Sequence, residues 1–288
     1  MNLSTPFGNF GALCRMVKIE HSVFALPYAW AGAVLAARGM PPLRQLVFLT
    51  LAMVAVRSVA MAFNRVADLR YDSANPRTQN RPLVTGEITV RQTWSFIACM
   101  SLAFIVCCAG INMLCLWLSV PALVFASAYS LVKRFSWLCH FWLGATLGLA
   151  PLAGWISVMP QVTLVPVLLF LAVTFWVAGF DIFYSCQDTE FDTWAGLFSV
   201  PACFGIEGGL RIAAFSHAMT SLFLLLAGWG AGLSVWWYAV WLAVSAVLLW
   251  EHRIMKPDDL SHVNMAFFTL NGIISPVIFV GVLIGIIF

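Results

Sequence analysis

Val162–Asp192 reads VTLVPVLLFLAVTFWVAGFDIFYSCQDTEFD. From Val162 to Phe180 it carries no charge, and a membrane-spanning helix needs about 20 such apolar residues. Carboxylates follow at once: Asp181, Asp188, Glu190 and Asp192. Asp181, Tyr184, Asp188 and Asp192 succeed one another at steps of three, four and four, so on a helix they share one face. The segment predicts a helix that crosses a bilayer and delivers a row of acids to its edge.

Composition extends that reading to the whole chain. Of 288 residues, 62% are hydrophobic and only 9% charged, with a mean hydropathy of +0.92. A soluble domain carries about 25% charged residues, so lipid is the solvent for most of this surface. Thirteen Trp and 23 Phe suit a bilayer and its interfaces. A net charge of +3 is too small to imply a nucleic-acid partner. The first 20 residues show no cleavable signal peptide, and the eight cysteines include no CxxC pair and read as packing residues.

Apolar runs and breaks predict an all-α, polytopic membrane protein, a single domain over 1–288. About nine helices are expected, near 19–37, 46–66, 94–111, 114–132, 138–158, 162–184, 212–230, 234–251 and 263–287, as two four-helix units plus one. Of the 15 Lys and Arg, only Arg38 and Arg44 fall on one side and Arg57 inside the second helix; the other twelve share the opposite side. That excess marks the cytoplasmic face and predicts N-terminus in, C-terminus out. All 12 acids also fall on or near that face. Acids take little part in the positive-inside rule, so a working polar site there is a second cause.

The second helix ends in MAFNRVADLRYD (Met61–Asp72), where Asn64, Asp68 and Asp72 are spaced i, i+4, i+8. On a helix these form one face, each step rising about 6 Å. Four helices separate this cluster from Asp181–Asp192, so both open onto one compartment. Paired carboxylates suit Mg²⁺, which is held by one or two carboxylates together with waters and substrate phosphates. Cations for the phosphates stand nearby: Arg77 and Arg81 in NPRTQNRPL (Asn75–Leu83), and Lys133 and Arg134 in YSLVKR (Tyr129–Arg134). Arg57, seven residues before Asn64, lies on the same face about 10 Å deeper; an Arg inside a membrane helix is costly and usually functional. Lys18, Glu20 and His21 open the first helix near the same side. His140 and Cys186, close to the motifs, read as packing residues.

The paired motifs resemble those of the UbiA superfamily of intramembrane prenyltransferases, whose signature is NxxxDxxxD on the second helix and DxxxD on the sixth. Here these are Asn64/Asp68/Asp72 and Asp188/Asp192, the latter preceded by Asp181 and Tyr184. The likeness covers nearly the whole chain. KIEHSVFALPYAW (Lys18–Trp30), KRFSWLCH (Lys133–His140), GFDIFYSCQD (Gly179–Asp188) and EHRIMKPDDLSHVNMAFFTLNG (Glu251–Gly272) look like the quinone-pathway branch, the bacterial 4-hydroxybenzoate polyprenyltransferases. A subset of that branch serves menaquinone rather than ubiquinone synthesis and takes a 1,4-dihydroxy-6-naphthoate type acceptor; the resemblance leans towards it.

The resemblance implies a Mg²⁺-dependent transfer of a polyprenyl group from polyprenyl diphosphate to an aromatic acid at a bacterial inner membrane. Asn64, Asp68, Asp72, Asp188 and Asp192 would hold the metal. Arg77, Arg81, Lys133 and Arg134 would bind the diphosphate. Tyr184 would face the allylic cation, and Asp181 would accept the ring proton or stabilise the cation. Arg57, by its depth on the motif's own face, is expected to bind the acceptor's carboxylate or to pair with an acid of the second cluster, and Lys18 to help hold the acceptor. A haem O synthase-type activity is the alternative within the family. A cation-coupled transporter is the alternative outside it; transporter sites lie near the midplane, whereas these acids crowd one interface.

Overall fold

Thr89, Asn112 and Ser199 cap the helices that follow them with their side chains. A computed structural model describes residues 10–18, 25–260, 263 and 271–288. Its helices are α1 (Phe10–Val17), α2 (Leu26–Ala37), α3 (Leu43–Ala67), α4 (Leu69–Ala74), α5 (Val90–Ile111), α6 (Met113–Val132), α7 (Cys139–Val158), α8 (Leu164–Ser185), α9 (Thr189–Trp194), α10 (Val200–Ala231), α11 (Val235–Ile254) and α12 (Asn271–Ile287). Thr89 and Gln92 form a capping box at α5. Asn112 alone separates α5 from α6: its side chain accepts from Cys115 N–H at 2.8 Å and donates to Ile156 O at 2.9 Å.

Among the described residues six stretches are long and apolar enough to cross a membrane: α3, α5, α6, α7, α10 and the run Leu164–Trp194. Within the described residues α2 and α12 are shorter; the expected first and last spans, 19–37 and 263–287, extend into residues that are not described. The expected eighth span, α11, falls outside the six because it is rich in Trp and Tyr and ends on Glu251-His252-Arg253. The expected seventh span, 212–230, is longer than its sequence suggested. It begins at Val200, where Ser199 caps the helix by accepting from Ala202 N–H, and it kinks at Gly205, whose φ of 72° belongs to the left-handed region.

Small residues let the helices approach. A Cβ built on Gly154 would stand 1.8 Å from Ala29 O, and one on Gly32 2.0 Å from Pro151 O, so α2 and α7 meet backbone to backbone. Gly144 plays the same part between α7 and α8. α3, α5 and α6 pack on one another, and α7, α8, α10 and α11 make a second set, with α6 against α7. α2 and α12 pack together and join α7 to α11. Large apolar side chains such as Trp117 and Trp229 lie about three-quarters exposed on the outside, where lipid would cover them. Away from the acids, Arg44 donates to Gly110 O at 2.8 Å, linking the start of α3 to the end of α5. At the opposite end Arg134 donates to Ala67 O, and Phe198 N–H to Lys133 O, drawing the ends of α3 and α6 and the approach to α10 together.

Candidate active site

The first motif is carried by the end of α3 and by α4. Asp68 leaves helical geometry at φ −94°, ψ 7°, yet Asp68 N–H still donates to Asn64 O at 2.9 Å and Asp72 N–H to Asp68 O at 2.8 Å. The helical spacing of Asn64, Asp68 and Asp72 therefore runs through the break. The second motif departs from the continuous helix that its spacing predicts. α8 ends at Ser185, a 3₁₀ turn spans Cys186–Asp188, and α9 follows. A 3₁₀ turn has 3.0 residues per turn instead of 3.6, so Asp188 is rotated relative to Asp181 from where an unbroken helix would put it.

All four motif aspartates, with Asn64, Asp181 and Tyr184, line one cavity of about 240 Å³. The four cations expected to bind phosphate line it too, each paired with one carboxylate. Arg134 lies 3.5 Å from Asp68, Arg81 2.5 Å from Asp72 and Lys133 2.8 Å from Asp192. Arg77 makes a two-pronged pair with Asp188, its Nε donating to Oδ1 at 3.0 Å and its Nη2 to Oδ2. Such pairing offsets the repulsion that buried like charges impose on one another.

The charges respond to this crowding. Burial, reinforced by the neighbouring Asp72, holds the Asp68 carboxyl above its ordinary range, against the pull of Arg134. Burial works against the charge on Lys133, but Asp192 more than offsets it and raises its pKa. Arg77 behaves likewise: burial opposes its charge, and the hydrogen bonds and charge of Asp188 prevail.

Several supporting residues lie outside the spacing of either motif. Arg65, counted there among the orienting charges, is buried; it donates to Asn64 Oδ1 at 2.9 Å while Asn64 Nδ2 donates to Asp68 Oδ2 at 2.7 Å. Asn75 accepts from Arg77 N–H at 2.9 Å and so shapes the loop that presents Arg77. Thr78 ties that loop to Asp72 O at 3.0 Å. An Asn three residues after a motif Asp, just before Pro, was the available clue. His140 is more than a packing residue: its Nδ1 lies 2.7 Å from Asp181 Oδ2.

Two further spaces adjoin the first. One, of about 580 Å³, is lined by Lys18 and Arg57 together with Asp181, Tyr184 and Asn271. The other, of about 130 Å³, is lined almost wholly by apolar side chains of α3, α6 and α7, with Arg57 at its edge. Tyr129 and Leu143 line all three. Glu20 and His21 lie outside the described residues.

The donor set fits a divalent metal shared with a phosphate. Every group is a hard oxygen, as Mg²⁺ prefers. Among the described residues no three His, Cys, Asp or Glu converge closely enough to cage an ion alone, so a bound ion would draw its remaining ligands from water or phosphate.

A charged cavity thus lies at the ends of apolar helices and shares lining residues with an apolar one. Residues 25–273 match the UbiA prenyltransferase family, and the chain belongs to it. It is a multi-pass membrane prenyltransferase. Over 276 residues it is 31% identical to a 4-hydroxybenzoate octaprenyltransferase of Aromatoleum aromaticum, covering 94% of this chain and 92% of that one. A 4-hydroxybenzoate octaprenyltransferase of Xanthomonas campestris pv. campestris is 32% identical over 96% of this chain and 91% of its own length. Among solved structures, a UbiA homolog from Aeropyrum pernix superposes with a TM-score of 0.80 at 30% identity, over 93% of this chain and 98% of its own. A UbiA homolog from Archaeoglobus fulgidus bound to GPP and Mg²⁺ shares the fold, with a TM-score of 0.72 at 21% identity over 94% and 99% of the two chains.

Proposed function

We propose that the protein transfers a polyprenyl group from polyprenyl diphosphate to an aromatic acid, in a Mg²⁺-dependent step of quinone biosynthesis, with its site open to the cytoplasm of a bacterial cell. The observation that carries this reading is the junction at Tyr129 and Leu143, where the charged, the mixed and the apolar spaces meet. A prenyl diphosphate has one charged end and one apolar end. Its head suits the cavity of paired charges, and its tail suits the apolar space.

Asn64, Asp68, Asp72, Asp188 and Asp192 would hold the metal, which when bound neutralises charge on the departing diphosphate. Arg77, Arg81, Lys133 and Arg134 turn from their carboxylates to the phosphate oxygens, the role for which fixed cations near a leaving group are suited. The apolar walls keep water from the allylic carbon. The Tyr184 ring faces the developing cation, as its attraction for the Arg77 guanidinium, 5.0 Å from its centroid, illustrates. Arg57 and Lys18 bind the acceptor's carboxylate. The ring carbon attacks, the C–O electron pair leaves with diphosphate, and Asp181 accepts the ring proton as aromaticity returns.

The relatives' names favour 4-hydroxybenzoate as acceptor; a dihydroxynaphthoate offers the same carboxylate to Arg57. The deciding experiment supplies membranes containing the protein with Mg²⁺, labelled polyprenyl diphosphate and, in parallel, 4-hydroxybenzoate and 1,4-dihydroxy-6-naphthoate. Label should enter one aromatic acid, and chelation of the metal should stop it. No labelled product with either acid would overturn the proposal.

A further inference from the structure

His140 has both ring nitrogens engaged, and the two contacts together fix its proton. The residue sits in the first turn of α7 and is only 2% exposed. On one side, Val200 N–H points at Nε2 at 3.1 Å. Val200 opens α10, so its amide is one of the helix-end donors that lack an intrahelical acceptor. A donor aimed at Nε2 requires a lone pair there, and a neutral imidazole then carries its hydrogen on Nδ1. That N–H faces Asp181 Oδ2 at 2.7 Å. The assignment follows from the hydrogen-bond network, as tautomers must.

Asp181 is thereby held from behind. One of its oxygens is tied to a rigid, buried ring, while its side chain, 23% exposed, lines both polar cavities. A group that must accept a proton needs to be correctly aimed. The clamp also couples distant parts of the chain, because His140 joins α7 to α8 through Asp181 and to the start of α10 through Val200.

We infer that His140 is a positioning residue for prenyl transfer: it fixes Asp181 in one orientation, with its free oxygen available to the acceptor ring. The role assigned to His140 is to hold Asp181 rather than to contact substrate. The balanced step is the one given above, with the ring C–H proton passing to Asp181 and its electron pair restoring the aromatic system; His140 gains and loses nothing. The inference rests on Asp181 as the proton acceptor, and the experiment separates the two.

The test compares His140→Met, which has no donor, with His140→Gln, which is close to it in shape and keeps an N–H within reach of Asp181. Asp181→Asn and the double variant Asp181→Asn/His140→Met complete a cycle, all assayed in membranes with saturating and varied substrates. His140→Met should lower kcat about 10–100-fold, the usual loss when an orienting partner is removed, with little change in the KM for prenyl diphosphate. His140→Gln should recover most of that loss. In the Asp181→Asn background, His140→Met should have no further effect, since residues that act as one unit are non-additive. Should the methionine variant fail to accumulate, His140→Phe keeps the ring's shape and gives the same reading. Full kcat without a donor at position 140, or a loss that multiplies with that of Asp181→Asn, would overturn the inference. Full activity of Asp181→Asn would instead remove Asp181 as the base, and His140 with it.

Discussion

Arg77 reaches from the loop behind the first motif to Asp188 of the second, and its Nη1 donates to Tyr184 OH at 2.7 Å on the way. One guanidinium thus ties together the two halves of the site and lies over the ring that would face the reacting carbon. Its planar fork matches a carboxylate in this structure and would match a phosphate equally well. Arg77→Lys keeps the charge but not the fork. It should therefore lose about as much kcat/KM for prenyl diphosphate as Arg77→Ala, roughly 100-fold if the contact forms in the transition state. Near-normal turnover by the lysine variant would show that charge alone matters there.

Asp68 sets a direction for pH dependence. Burial and Asp72 raise its pKa above the ordinary aspartate range, while Arg134 lowers it. The folded chain therefore keeps this proton to a higher pH than the unfolded chain does, and the group's contribution to folding stability falls as pH rises through the raised pKa. Metal affinity moves the other way, because a metal competes with that proton. Affinity should weaken on acidification at a pH above the ordinary Asp range. Arg134→Gln should shift that limb to higher pH and Asp72→Asn to lower pH. Metal-dependent thermal shifts measured across mildly acidic to neutral pH would reveal the order, and unchanged limbs in both variants would contradict it.

Arg57 lines both the mixed cavity and the apolar one, whereas the paired cations surround the charged cavity. Arg57→Ala should raise the acceptor's KM at least about 10-fold, the loss of a charge-assisted hydrogen bond, and leave that of the prenyl donor close to normal. Steady-state kinetics with each substrate varied in turn would check this; a normal acceptor KM would count against the assignment.

Ala60, Ala122, Ala126 and Ala150 keep the apolar space open. Ala122→Phe should fill part of it and shift preference towards shorter prenyl diphosphates, measured as the ratio of kcat/KM for short and long donors. One lost methylene contact is worth about 0.8 kcal/mol, so blocking several isoprene carbons should change the ratio by more than tenfold. An unchanged ratio would place the tail elsewhere.

Gly154 and Gly32 bear on stability rather than chemistry. With Ala29 O only 1.8 Å from where a Cβ would sit on Gly154, backbone must move to admit any side chain. Gly154→Val should cost at least about 1–3 kcal/mol, as overpacking does. It should lower the temperature at which the detergent-solubilised protein aggregates, while Gly230→Ala, whose Cβ would meet Val165 Cγ2 at an ordinary 3.5 Å, should matter much less.

The amino-acid sequence alone determined the bilayer as solvent, the long apolar helices, the two acidic motifs and the face on which they gather. These depend on hydropathy and on spacings of three and four, which are local properties of a chain. The residues that complete the motifs were visible as types: four cations near one Asn and four Asp. Tertiary structure alone decided who pairs with whom. Arg77 meets Asp188 across 111 residues of sequence, Lys133 meets Asp192, and Arg65 turns inward to hold Asn64. His140 gave no periodic signal, because its role arises only where α7, α8 and the start of α10 converge. Helix spacing tells each side chain which way it faces from its own axis; which partner waits there is set by how the axes pack.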